Sequence, residues 1–137
     1  ITNKNMTRFM ITLEEGIDLV WKAFDEMEGG EIFVKKIPSM NIVEIAKSIC
    51  EDCQIDEVGM RPGEKIHEEM ICSEDAPFTY EYDDHFKIFP AIDTGKRHDG
   101  AKSTGKRVEK QFTYNSENNC EWMSVTQLRK WIGEQSW

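Results

Sequence analysis

The sequence has no apolar run near the ~18 residues that cross a bilayer, so it predicts no membrane-spanning helix. It is short of positive charge: 17 basic against 26 acidic residues leave a net charge of −9. Nucleic-acid binding needs clustered Lys and Arg to neutralise phosphates, so no such partner is expected. A few converging arginines could still hold an anionic small molecule. Nine glycines and four prolines are too few for a collagen-like or low-complexity chain. A hydrophobic share of 39% argues against global disorder. Neither G-x-S-x-G nor H-E-x-x-H occurs, and His67, His85 and His98 are scattered. No signal peptide is visible at the start, which is Ile1 rather than Met; a processed chain or a piece of a longer one is expected.

What is present suits one domain of 137 residues. Cysteines stand at 50, 53, 72 and 120. Cys50-Glu-Asp-Cys53 is a lone C-x-x-C without a second pair, so ordinary reduced cysteines are expected rather than zinc or redox chemistry. Residues 6–11 read as extended. Thr12 and Glu15 form a capping box, and Leu13, Ile17, Val20, Trp21, Phe24 and Met27 follow at helical spacing on one face. Gly29-Gly30 ends that helix, and Ile32–Val34 reads as a short buried strand. Asn41 caps a second helix bearing Ile42, Ile45, Ala46 and Ile49. Ile55–Val58 is expected as a strand, Arg61–Glu64 as a turn, and a short amphipathic helix should carry Ile66, Met70 and Ile71. Tyr80–Asp83 and His85–Phe89 read as strands. Residues 93–111 hold three glycines and six basic side chains and read as a mobile loop. Phe112–Tyr114 re-enters order, Asn115–Asn119 turns, and a last capping box (Ser124, Gln127) starts a helix bearing Val125, Leu128, Trp131 and Ile132, closed by Gly133.

Few motifs carry chemistry. Gly100–Lys106 matches G-x-x-x-x-G-K, but Arg107 stands where a phosphate loop needs Ser or Thr, and no apolar strand precedes it. Asp83-Asp84-His85 reads as a solvated acidic turn, because neighbouring strand residues point to opposite faces. Arg8 and Arg61 are more informative. Each precedes a helix expected from the pattern, the usual place for ligand sites in α/β architectures. A guanidinium there can grip a phosphate bidentately, and Glu64 can accept hydrogen bonds from a ribose. Helix-entry salt bridges are the competing reading of the same residues.

Met6–Glu15, Gly30–Val34, Ile37–Met40 and Gly59-Met-Arg-Pro-Gly-Glu-Lys-Ile-His-Glu68 resemble the inverting UDP-N-acetylglucosamine 4,6-dehydratases. These belong to the extended short-chain dehydrogenase/reductase family, of the polysaccharide-biosynthesis type. Tyr80–Asp84 continues the resemblance, as do Phe112–Ser116 and the last helix. The resemblance implies a C-terminal substrate-binding part. Family members carry NADP on a glycine-rich Rossmann half and use a Y-x-x-x-K pair, and none of Tyr80, Tyr82 and Tyr114 has Lys four residues on. It also implies that Arg8 and Arg61 bind the diphosphate and Glu64 the ribose of a UDP-sugar, with Thr7 beside them. It assigns no catalytic residue and no metal ligand to this chain.

The fold class expected is mixed α/β, with few short strands and three to four helices. The division expected is a nucleotide-sugar-binding subdomain over 1–92, a glycine-rich basic loop over 93–111, and a closing strand and helix over 112–137. The function expected is UDP-sugar binding within an NADP-dependent 4,6-dehydratase for surface-polysaccharide or flagellin sugars, inactive alone. NADP is expected outside this chain, the location cytoplasmic, and a homo-oligomer is allowed. The alternative is a stand-alone nucleotide-sugar-binding or self-associating module without catalysis.

Overall fold

A computed structural model describes residues 1–92 and 97–134. The fold is mixed α and β, with short antiparallel strands, and the chain divides into two compact units that interleave along the sequence. One holds Ile1–Met10, Ile37–Glu68 and Asn115–Trp137; the other holds Ile11–Lys36 and Glu69–Tyr114.

In the first unit, β1 (Thr7–Phe9) pairs antiparallel with β3 (Ser39–Asn41), placing Arg8 opposite Met40. Asn41 ends β3 and caps α2 (Ile42–Ile49), its side-chain oxygen accepting from the Val43 N–H at 2.8 Å. Helix α4 (Val125–Glu134) starts from the Ser124–Gln127 box and packs on α2, burying Leu128. Arg129 donates to the carbonyls of Lys47 (2.9 Å) and Ser48 (3.2 Å), satisfying the orphan acceptors at the end of α2. Met6, Ile37, Met40 and Leu128 form the core. The buried Asn119 amide closes it by donating to Ile37 O (2.7 Å), Ser39 Oγ (3.0 Å) and Glu121 O (3.0 Å).

The second unit holds α1 (Leu13–Glu26), β2 (Ile32–Lys35), β4 (Glu69–Ile71), a 3₁₀ turn (Ala76–Phe78), β5 (Thr79–Glu81), β6 (His85–Ile88), α3 (Asp99–Thr104) and β7 (Lys106–Arg107). Four strands form one sheet in the order β2-β6-β5-β7. Strand β8 (Tyr114–Asn115) pairs with β4. Phe86 and Ile88 bury on one sheet face, where Phe86 meets Phe112 and Tyr114. The Thr12–Glu15 capping box starts α1 as expected. The apolar stripe of α1 is bare, however: Leu13 is 81% exposed, and Trp21 and Phe24 are each 64% exposed. The charged side of the helix faces inward instead, with Lys22 on Asp84 and Glu26 on Lys87.

Several sequence expectations are corrected. Ile55–Val58 forms no strand. Its one run of partners is the chain start, with the Val58 N–H on Ile1 O and the Ile1 ammonium on Asp56 O, too few for a ladder. The helix expected from Ile66 onward is instead irregular chain, bent at residues 66–67, leading into β4. The Thr7 and Glu68 N–H groups are bonded sideways, to Ile66 O (3.1 Å) and to Ser116 Oγ (2.9 Å). In β2 only Val34 is buried, while Ile32 is 59% exposed. Cys50 and Cys53 are joined by a disulfide rather than reduced. Gly133 lies inside α4, not beyond it.

Within 93–111, residues 93–96 lie outside the described residues, and α3 and β7 occupy the rest in part. Gly105 explains that order: a Cβ there would stand 2.6 Å from the Tyr82 ring, whose hydroxyl donates to Ala101 O at 2.8 Å. Gly100–Thr104 is helical, so the G-x-x-x-x-G-K match forms no phosphate loop.

Candidate functional site

The four residues singled out in the sequence all lie in the first unit, and the structure gives them different tasks. Arg61 and Glu64 define a tight turn. The Glu64 N–H donates to Arg61 O (3.1 Å), and the Glu64 carboxylate accepts from the Arg61 N–H (3.0 Å) and the Thr2 hydroxyl (3.0 Å). Gly63 takes φ +80°, a conformation glycine adopts without strain. The Arg61 N–H bond, foremost, holds the Glu64 carboxyl below the usual carboxylate range against some desolvation; the Thr2 hydroxyl and the charges of Arg61 and Arg8 add to it. A carboxylate has about four lone-pair sites, so Glu64 keeps acceptor capacity for a ligand hydroxyl. The Arg61 side chain is exposed, and its guanidinium makes no hydrogen bond or ion pair among the described residues.

Arg8 is the opposite case. Its Nη1 donates to Thr7 O (2.7 Å) and Ile66 O (3.0 Å). Its Nη2 donates to Lys65 O (3.3 Å) and Met6 Sδ (3.6 Å), while Nε lies 3.5 Å from Glu68 Oε1. Four of the five N–H donors make hydrogen bonds, one of them to sulfur, and Nε ion-pairs with Glu68. Arg8 therefore staples the 65–68 segment to β1 and contributes charge rather than free donors. Thr7 is buried, its hydroxyl 2.8 Å from His67 Nδ1 and 2.6 Å from Ser116 Oγ. Sequence reading singled out neither Ser116 nor His67. Neither sits in a chemical motif, and Ser116 lies 109 residues from Thr7 along the chain.

A second polar cluster lies in the other unit, around a cleft of about 640 Å³ lined by Lys22, Glu26, Lys36, Asp84, His85 and Lys87, among others. Its charges are matched internally. Lys22 contacts Asp84 at 2.7 Å, Lys36 contacts Glu81 at 2.9 Å, and Lys87 contacts Glu26 at 2.7 Å. His85 is stacked between Phe33 and Tyr82, with Nδ1 2.8 Å from Asp84. Burial, above all, pushes His85 below the ordinary histidine range, although Asp84 opposes this. Hydrogen bonds from Lys22, first, and then from His85 hold Asp84 well below the carboxylate range.

Both shifts are depressions, so both stabilise the fold at high pH. The His85 contribution is complete above about pH 6.5 and is lost as pH falls below it; that of Asp84 is lost below about pH 3.9. Urea unfolding from pH 8 to 3 should show stability falling first below about pH 6.5, and His85→Phe should flatten the stretch from 6.5 to 5. A wild-type profile that is level from pH 8 to 5 would contradict this account.

Glu28, Glu31 and His98 bring possible ligand atoms within 4.8 Å of one another. Both Glu31 oxygens, however, accept backbone N–H groups, of Glu28 (2.8 Å) and Gly29 (2.7 Å), and His98 Nε2 stands 3.2 Å from Gly29 O. The cluster caps the Gly29–Gly30 turn.

No helix among the described residues is long and apolar enough to cross a membrane. Residues 1–90 match the family model described as polysaccharide biosynthesis protein. The chain is 40% identical over 133 residues to a UDP-N-acetylglucosamine 4,6-dehydratase (inverting) of Campylobacter jejuni subsp. jejuni serotype O:2, covering 93% of this chain and 40% of that protein. It is 35% identical over 92 residues to a UDP-glucose 4-epimerase of Rickettsia canadensis, covering 64% of this chain and 27% of that protein. The X-ray structure of Pen from Bacillus thuringiensis superposes with a TM-score of 0.78 at 28% identity, over 99% of this chain and 39% of that one. The chain thus spans two fifths or less of the length of these relatives.

Proposed function

The chain belongs to the polysaccharide biosynthesis protein family, and from that membership we propose that its first unit binds the nucleotide diphosphate of a UDP-sugar, as the substrate-binding part of a nucleotide-sugar 4,6-dehydratase. The observation that carries this reading is the Arg61 guanidinium: exposed, with no hydrogen bond or ion pair to a described residue, and mounted on a turn locked by Glu64. An arginine committed to a structural ion pair would not be left so. Arg61 is the direct grip on the diphosphate, by two parallel N–H bonds to phosphate oxygens. Glu64 accepts from the ribose hydroxyls. Arg8 adds positive charge nearby and holds the arm, and Thr7 acts from below through its hydroxyl. The likeness to a dehydratase of UDP-N-acetylglucosamine supports the sugar class.

Dehydration of this kind draws on NADP for hydride transfer. The described residues do not fit that cofactor. Among them four glycines take left-handed φ, Gly29, Gly30, Gly59 and Gly63, and none of these lies at a helix start, where a dinucleotide phosphate would sit. No step of the reaction is assigned to this chain beyond holding the substrate.

The test is Arg61→Ala in the complete gene product. One lost charge-assisted bidentate contact is worth roughly 1.5–3 kcal/mol, so KM for the UDP-sugar should rise about 10- to 100-fold. The urea midpoint should stay unchanged, because Arg61 supports no other described side chain. An unchanged KM would remove the assignment.

A further inference from the structure

Three elements of the first unit meet at Thr7. Strand β1 supplies Thr7 itself, the segment after the Arg61 turn supplies His67 and Glu68, and the turn after β8 supplies Ser116 and Glu117. The contacts form a chain. The Glu68 N–H donates to Ser116 Oγ (2.9 Å), Ser116 Oγ lies 2.6 Å from Thr7 Oγ1, Thr7 Oγ1 lies 2.8 Å from His67 Nδ1, and His67 Nε2 lies 3.5 Å from Glu117 Oε2. Ser116 is fully buried, and its N–H also donates to Glu68 O at 2.8 Å.

For a neutral His67 ring, counting protons fixes the direction. The Glu68 N–H can only donate, so Ser116 Oγ accepts there. If Ser116 then donates to Thr7, the Thr7 proton goes to His67 Nδ1. The neutral ring then carries its proton on Nε2, facing the Glu117 carboxylate. The reverse order sends the Thr7 proton to Ser116 and the Ser116 proton to Thr7 O at 3.2 Å. It needs a proton on His67 Nδ1, which in a neutral ring leaves the Nε2 lone pair facing a carboxylate. For the neutral ring the forward order is the one that satisfies every atom.

We infer that Ser116, Thr7 and His67 are positioning residues of the nucleotide-sugar site: a one-way relay that holds the base of the Arg61–Glu64 arm at a fixed place on β1. This rests on the reading of Arg61 and Glu64 as ligand contacts. The reason is mechanical. Residues 66–68 are bonded from both sides, to Thr7 and Arg8 on one and to Ser116 on the other, and Arg61 hangs from that base. Loss of the relay frees the base to shift, and a guanidinium displaced by about 1 Å forfeits much of a bidentate contact. Truncating Arg61 removes the contact; breaking the relay only misplaces it.

Thr7→Val keeps the shape and removes the hydroxyl, whereas Thr7→Ser keeps the hydroxyl. In the complete gene product, Thr7→Val should raise KM for the UDP-sugar about 3- to 10-fold with kcat within about twofold, and Thr7→Ser should restore KM to within about twofold of wild type. Ser116→Ala serves as the second variant should Thr7→Val fold poorly. In the same complete gene product, ¹⁵N-histidine spectra, with the His67 signal assigned by its loss in His67→Gln, report the His67 tautomer at a pH where the ring is neutral. His67 should be the Nε2–H form in wild type and Thr7→Ser, and a mixture in Thr7→Val. If Arg61→Ala raises KM and neither relay variant does, the relay only supports the fold and the inference fails while the substrate reading stands. If Arg61→Ala leaves KM unchanged, the substrate reading itself fails. A wild-type Nδ1–H tautomer at His67 would overturn the direction of the relay.

Discussion

Replacing Glu26 by alanine is expected to cost about 3 kcal/mol of folding stability, although Glu26 lies on the surface helix α1. The reason is its partner. The Lys87 side chain is only 5% exposed, and its ammonium lies 2.7 Å from Glu26 Oε2. It also sits over the rings of Phe33 (4.6 Å) and Tyr82 (5.0 Å). Lysine is almost never buried without a counter-ion. Removing Glu26 leaves that ammonium uncompensated, which typically costs 3–5 kcal/mol; the two ring faces offset part of it. The reverse change behaves differently. Lys87→Met removes the buried charge and leaves Glu26, itself 39% exposed, free to take up water, so it should cost about 1 kcal/mol or less. The double variant should recover about 2 kcal/mol relative to Glu26→Ala alone. Urea midpoints of the three variants test this. A Glu26→Ala loss below about 1 kcal/mol would mean that Lys87 reaches water and the burial argument is wrong.

Met40→Ala should be of similar size, about 3 kcal/mol, with Met40→Leu costing less than about 1.5. Met40 has no exposed surface and stands opposite Arg8 in the β1–β3 pair. A cavity there removes dispersion contacts from a fully buried position of the β1–β3 pair. On the proposed reading of the Arg61 arm, the alanine variant of the complete gene product should raise KM for the UDP-sugar as well as lower the urea midpoint, because Arg8 on β1 is bonded to the 65–68 segment below that arm. Equal urea midpoints for the alanine and leucine variants would show that the site collapses without strain.

Local signals were legible because they depend on a few adjacent residues. Thr12 with Glu15, Asn41, and Ser124 with Gln127 each start the helix that the sequence led one to expect. The hydroxyl or amide of each cap satisfies an N–H two or three residues on, whatever the rest of the chain does. Arg61 and Glu64 were legible as a turn for the same reason. The segment from Ile66 was misread because its apolar spacing allows a helix. Its backbone groups are bonded instead to Thr7 and Ser116, across 59 and 48 positions, and no local pattern records that. The apolar stripe of α1 was correctly placed on one face, but the pattern could not say whether protein would cover that face. The inward side of α1 is chosen by Lys22 and Glu26, whose partners Asp84 and Lys87 lie more than 60 residues on.

By itself, then, the sequence determined the helix starts, the turn that carries Arg61, the acidic balance that disfavours nucleic acid, and, through long matching segments, the family. Those properties are local or additive, and short-range sterics and hydrogen bonding suffice for them. Only the tertiary structure decided that the Arg8 guanidinium is committed to backbone carbonyls and Glu68 while that of Arg61 makes no hydrogen bond or ion pair to a described residue, and that Thr7 is a buried link rather than a surface contact. It alone brought Ser116 and His67 to the Thr7 hydroxyl. Whether a guanidinium is free or committed depends on which carbonyls and carboxylates the fold brings within 3–4 Å of it, and those come from residues far away in the chain.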